Sequence, residues 1–345
     1  MKKKDNELHW DIPPRRLTLE ILTKSNPQAK EVILARFNET HRITFNTSDS
    51  VSGAANTADI VIGGMQIDKM YSLARSPTTW VQNWMNSRIV LTGGYEGNTG
   101  ILFDGTIIEA KPNLNTADYE IGLKCMAGFD VALMTTITVN KPGPVNIETI
   151  VKEIAKQANL ATDIGENAKN YQVNDFFVNN VTYIEACRQL SKQSYFGNVR
   201  ELLVYIDGNT KKVKAQTLWE SISTKTAPLY VGPSNLIGNP RPSVLGVDFD
   251  IRMDPYIQTG KSVDFHSVKL SLMTGKGKDR KQIPITVKQY SHHGDTKGKD
   301  WKTTVKSILV LTNEQLAKLG VTQDTTTPPS QTNQSTAPSS PVVAS

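Results

Sequence analysis

The chain has 345 residues, enough to bury sizeable cores in two or three domains. Its 39 basic and 33 acidic residues leave a formal charge of +6, a modest excess that neither requires nor excludes contact with nucleic acid. No run approaches the ~20 apolar residues of a membrane span, and two cysteines are too few for a disulfide framework.

Cys125 and Cys187 read as buried thiols of a protein made in a reducing cytoplasm. The start, MKKKDNELHW, has the basic end of a signal peptide without the apolar region that should come after it. From residue 16 to 140 the chain reads as mostly strand. RLTLEILTK places Leu17, Leu19 and Ile21 on one face, the period of a half-buried strand. VILARF, HRITFNT and ADIVIGG come next, then a short helical piece, QIDKMYSLA. GGYEGNTG, residues 93–100, has the glycine density of a phosphate loop. A phosphate loop, however, needs a helix behind it, and the next segment, ILFDGTII, reads as a strand. The loop therefore turns a hairpin. YEIGLKCMA and ALMTTITVN continue the strand pattern.

KPGP, residues 141–144, reads as a domain joint. After it, Asn146 is placed to cap a helix with Ile147, Ile150, Val151, Ile154, Ala155 and Ala158 on one face. A second helix starts at Thr182, with Glu185 completing a capping box. ELLVYI and KKVKAQ flank a DGN turn as a hairpin. Strand character returns from about Pro228: VDFDIRM ends at Asp254-Pro255, KSVDFHSVKLSL runs to a GKGKD tip, and QIPITVKQY and WKTTVKSILV complete the set. GKGKDRK, residues 275–281, has no interleaved aromatics and reads as a solvated basic loop. NEQLAKLG is expected as a short helix, and the Pro/Ser/Thr/Gln-rich remainder as a disordered tail.

No catalytic or metal constellation emerges. HExxH, G-x-S-x-G and zinc spacings are all missing. HHGD at 292–295 is the one tempting cluster, but neighbours on an extended chain point to opposite faces, so His292 and His293 would not share an ion. Asp295 suits a turn instead. Trp80 and Trp84, four apart, read as core packing or a subunit contact.

Three stretches carry a family resemblance. IVLTGGYEGNTGILFDGTI resembles the hairpin of bacteriophage tail and baseplate hub proteins. LIGNPRPSVLGVDFDIRMDPYIQTGKSVDFHS and QYSHHGDTKGKDWKTTV resemble two later signatures of that family, the whole covering roughly residues 16–312. The resemblance implies an α+β, mainly β fold: two tail-tube-like β-barrels, 1–140 and 228–320, joined by a small α+β domain, 141–227, with a disordered tail at 321–345.

It also implies a homotrimer forming a pseudo-six-fold ring. That ring would join a six-fold tail tube, or its initiator protein, to a trimeric spike or tip among other baseplate proteins. DNA would pass through the channel without specific binding. The expected place is the virion tail baseplate, with no membrane anchor, no cofactor and no enzymatic activity. The alternatives are a tail-associated peptidoglycan hydrolase, which would need a catalytic motif, and a type VI-like spike core, which would continue into a β-helical needle. The family-like motif residues are Gly94, Tyr95, Phe103, Gly105, Asp254, Pro255, Gly260, His293, Asp295 and Trp301. Gly94 and Tyr95 are expected to begin the hairpin loop, Phe103 to anchor the core, and Gly105 to mark a bulge or close approach. Asp254-Pro255 and Gly260 would turn the chain, and His293, Asp295 and Trp301 would tie the late turn to the sheet.

Overall fold

A computed structural model describes residues 12–23, 30–50, 56–68, 87–114, 119–128, 135–193, 202–207, 212–217, 220, 228–243, 246–267, 270, 273–274, 281–282 and 285–309. Among these, 64% are strand and 13% helix, so the fold is mainly β. The basic N-terminal run, most of QIDKMYSLA, Trp80, Trp84, the GKGKD tip, NEQLAKLG and the polar tail lie outside the described residues.

The first strands are β1 (Arg15–Thr23), β2 (Val32–Asn38), β3 (Arg42–Ser50), β4 (Thr57–Gly63), β5 (Arg88–Tyr95), β6 (Asn98–Asn113) and β7 (Glu120–Met126). In β1 the alternation holds, with Leu17, Leu19 and Ile21 buried and their neighbours partly exposed. The middle of the chain supplies β8 (Thr136–Asn146), α1 (Ile147–Gln157), β9 (Ala161–Ile164), α2 (Glu166–Lys169), β10 (Gln172–Thr182), α3 (Tyr183–Gln193), β11 (Leu202–Asp207) and β12 (Lys212–Thr217). The last region holds β13 (Leu229–Val231), β14 (Leu236–Pro242), β15 (Val247–Arg252), β16 (Ser262–Phe265), β17 (Met273–Thr274), β18 (Lys281–Gln282), β19 (Ile285–Asp295) and β20 (Trp301–Leu309).

α1 buries five of the residues its 3.6-residue period selects, Ile147, Ile150, Val151, Ile154 and Ala155, and the sixth, Ala158, is buried as its C-cap. Glu148 in its first turn and Lys156 in its last complement the helix dipole. Asn146 occupies the cap position, yet its side chain makes no cap bond. α3 is capped as expected from one side: the Glu185 N–H donates to Thr182 Oγ1 at 3.2 Å.

KPGP is not a break in the fold. It lies inside β8, which pairs with β10 from Thr136↔Thr182 to Asn146↔Gln172. A register shift between Asn174 and Phe176 absorbs Pro142 and Gly143. There the Gly143 N–H donates to Asp175 Oδ1 at 2.7 Å, and Asp175 itself has φ 56. Ile137 and Val139 of β8 pack with the helices, not with the first strands.

Thirteen strands share one sheet, in the order β14-β15-β20-β19-β3-β4-β7-β6-β5-β1-β2, with β16 beside β19 and β13 beside β16. Neither strand-rich region closes into a barrel among the described residues. They are instead joined edge to edge, β19 pairing antiparallel with β3 from Gln289↔Ser50 to Asp295↔Thr44.

Within that sheet a pattern occurs twice. The order β3-β4-β7-β6 is matched by β14-β15-β20-β19, with chain order and antiparallel pairing preserved. A fifth strand extends the match, since β5 meets β6 at Arg88↔Thr106 and β16 meets β19 at Ser262↔Thr286. Each long strand shifts register at the corresponding step, between Ile107 and Glu109 against β7, and between Val287 and Gln289 against β20. Aligned on those shifts, buried Thr106 matches buried Thr286, and Ile107 matches Val287.

Candidate functional site

The three motif segments, far apart in sequence, meet where the two halves of the sheet join. In the first, β5 and β6 pair to the end of the hairpin, Gly94↔Thr99 and Tyr95↔Asn98. Gly94 and Tyr95 therefore end the strand, and the turn itself is Glu96-Gly97, with Gly97 at φ 81. Gly94 has φ 144, and a Cβ there would lie 2.2 Å from the Asn98 carbonyl oxygen. Only glycine fits that backbone. Phe103 is buried in the first core. A Cβ on Gly105 would stand 2.7 Å from both the Phe103 ring and the Met126 carbonyl oxygen, so Gly105 marks a close approach of β6 to β7.

In the second segment, Asp254 Oδ1 accepts the Tyr256 N–H at 2.9 Å, an Asx turn with Pro255 at its centre. The turn reaches across to the hairpin: the Tyr256 hydroxyl donates to the Thr99 carbonyl at 2.9 Å, and a Cβ on Gly100 would meet Pro255 at 3.0 Å. Gly260, at φ 79, donates its N–H to the Val287 carbonyl at 2.8 Å, returning the chain to β19. A cleft of about 410 Å³ lies between this turn, β6 and β3, lined by Thr47, Ser48, Asp49, Phe103, Tyr256 and Tyr290 among others.

The third segment closes the junction. Asp295 Oδ1 accepts the Lys297 N–H at 2.8 Å, making the expected turn between β19 and β20. Arg15 holds that turn with bonds to the carbonyls of Asp295 (3.2 Å), Gly298 (2.7 Å) and Lys299 (3.1 Å). Thr296 bridges to the other side, donating to the His41 carbonyl at 2.7 Å and accepting the Ile43 N–H at 2.9 Å. Trp301 is 3% exposed and belongs to the core of the first strands. Its Nε1–H donates to the Gly94 carbonyl at 3.3 Å, its ring meets Phe45 edge-on at 5.7 Å, and the Arg15 guanidinium sits 5.5 Å from the ring centre.

His293 bonds Ser291 of its own strand, Nε2 to Oγ at 3.0 Å, and burial lowers its pKa. His292 points to the opposite face, 1% exposed, with Nδ1 2.9 Å from Thr303 Oγ1. Among the described residues no group of three His, Cys, Asp or Glu could hold a metal ion. Both cysteines are buried free thiols, and burial pushes Cys187 up to about 12. Sequence reasoning missed Arg15, Thr296, Thr303 and Tyr256, since nothing local distinguishes them from solvated polar residues.

Burial, and secondarily the nearby His293, lowers the His292 pKa to about 3. The unfolded chain takes up that proton near pH 6.5 while the folded chain does not, so stability is undiminished above that pH and falls as pH drops towards 3. At pH 5 this one site should cost about 2 kcal/mol. Urea unfolding at pH 7 and pH 5 checks it: His292→Gln should lose that part of the pH dependence, and an unchanged dependence would assign it elsewhere.

Residues 20–271 match the family model described as baseplate hub gp41. No curated protein sequence matches the chain. Among solved structures, the 43 kDa tail protein of prophage MuSo2 from Shewanella oneidensis aligns with TM-score 0.51 at 9% identity, over 84% of this chain and 98% of that one. The tail protein from Neisseria meningitidis MC58 aligns with TM-score 0.52 at 9% identity, over 86% and 96%. A chain of the Francisella PdpA-VgrG complex aligns with TM-score 0.52 at 10% identity, over 87% of this chain and 58% of that one. At such identities the structural likenesses speak for the fold alone, whereas the family match spans most of the chain. The chain belongs to the baseplate hub gp41 family of bacteriophage tail proteins.

Proposed function

We propose that the chain is a structural hub of the tail baseplate that acts by assembly and not by catalysis. Three copies form a ring of six similar sheet modules. One face continues a six-fold tail tube, the other seats a three-fold spike or tip, and the centre leaves a channel for DNA. In this reading β1–β7 and β13–β20 are the two tube-like modules, and β8–β12 with α1–α3 form the α+β domain between them.

The observation that carries the reading is the repeated strand order joined through β19 and β3. A chain holding two modules of one pattern, already edge to edge, presents a triplet of itself as a hexagon. The motif residues then have a common role: Gly94, Asp254-Pro255, Asp295 and Trp301 hold the two modules in register.

Light scattering on the purified protein, with negative-stain images, tests this. The expected result is three chain masses and a ring with a central hole. A compact monomer at every concentration would contradict it.

A further inference from the structure

The repeat leaves one junction made and its counterpart open. Inside the chain, the outer edge of β19 from Gln289 onward is covered by the outer edge of β3. In the other module the matching edge is that of β6 from Glu109 onward. β5 covers β6 only as far as Thr106, and β7 occupies the opposite side. The counterpart of β3 is β14, which pairs with β15 on one side and with no other strand among the described residues. Among the described residues the chain thus carries both halves of a second junction at places that do not meet within it.

We infer that β6 of one copy pairs antiparallel with β14 of the next, reproducing between chains the β19–β3 pairing found within one. The inference rests on the proposed ring of copies and names the strands that close it. Alternation of in-chain and between-chain junctions gives six junctions of one kind in a trimer and leaves neither edge open to unwanted pairing.

The register is set by the aligned shifts. β6 and β19 superpose with Lys111 on Ser291 and Pro112 on His292. β14 and β3 superpose with Pro242 on Thr47, because Val247 and Ala58 hold matching places in β15 and β4. The in-chain pairs Ser291↔Ser48 and His292↔Thr47 then predict Lys111 opposite Ser243 and Pro112 opposite Pro242 of the neighbour. In the chain, the His292 N–H is donated to the Thr47 hydroxyl at 3.3 Å. Two prolines at that step supply no N–H, so the step itself makes no ladder bond and the pairing rests on its neighbours, such as Ala110, whose N–H faces this edge. Lys111 and Arg241 are exposed at these edges, each already paired in the chain with an acid, Glu109 and Asp250, and Ile237 is an exposed apolar residue of β14.

Cross-linking of the full chain tests the pairing. Lys111→Cys/Ser243→Cys is treated with a short bis-maleimide beside the in-chain control Ser48→Cys/Ser291→Cys and each single variant. The buried Cys125 and Cys187 stay silent. The expected result is covalent dimer and trimer from the test pair, and monomer from the control and from each single variant. A protein that is trimeric by light scattering but whose test pair does not link between chains, while the control links within one, overturns the strand pairing and spares the hub reading. A monomer in solution overturns both. Equal linking by Lys111→Cys alone means that like edges meet, which also overturns the pairing. Hydrogen exchange on the unmodified protein gives an independent readout: the Ala110 amide points away from β7, towards the open edge, and should exchange slowly in the assembly, and fast exchange there contradicts the inference.

Discussion

Replacing Trp301 with Ala should lower the unfolding free energy by about 3–5 kcal/mol, the range for deleting a large buried aromatic. The residue is well placed for the upper part of that range. Its ring packs in the core of the first strands although its backbone begins β20 of the last region. Removal therefore opens a cavity, frees the Gly94 carbonyl, and deprives Phe45 and Arg15 of their partner. Guanidinium unfolding of wild type and variant measures the difference. A loss under about 1 kcal/mol, small beside the usual cost of such a deletion, would mean that the ring does not lock the halves together. Trp301→Phe should recover most of the packing but not the bond to Gly94.

Gly94→Ala should be nearly as damaging for a different reason. The new Cβ meets backbone, the Asn98 carbonyl oxygen at 2.2 Å, and not a side chain that could swing away. Crowding of this sort costs roughly 1–3 kcal/mol, and φ 144 adds backbone strain of similar size. Gly122→Ala is the control, since its Cβ would find only the Lys111 carbonyl at 3.8 Å. Thermal melts should separate the two variants clearly, and equal melting points would remove the steric explanation. Because Gly94 accepts the Trp301 bond, the double variant Gly94→Ala/Trp301→Ala should lose less than the sum of its parts.

Much of the local structure was legible. The two-residue period of Leu17, Leu19 and Ile21 and the helical period of Ile147 to Ala158 each report a face that must be buried, and each is buried. Phe103 and Trp301 were recognisable as packing residues, and Asp254 and Asp295 as turn formers. KPGP misled because proline and glycine punctuate loops on average, while a bulged strand tolerates them where a side chain such as Asp175 takes the spare N–H. The pairing of β19 with β3 was not legible, because an alternating strand carries no local record of which edge it will meet. The same holds for Arg15: its three carbonyl partners lie some 280 residues away. The repeat entered only through the family resemblance and not through the residues themselves, since burial and register correspond while side chains diverge. Thr106 matches Thr286, but Glu109 matches Gln289 and Pro112 matches His292.

The most direct measurement is an electron cryo-microscopy reconstruction of the purified protein, computed without imposed symmetry. It should show three chains around a hole, with the β3–β7 and β14–β20 modules alternating and superposing after each sixth of a turn. A ring in which only one of the two modules faces the axis, or in which the modules cannot be superposed by rotation about it, would contradict the hub reading.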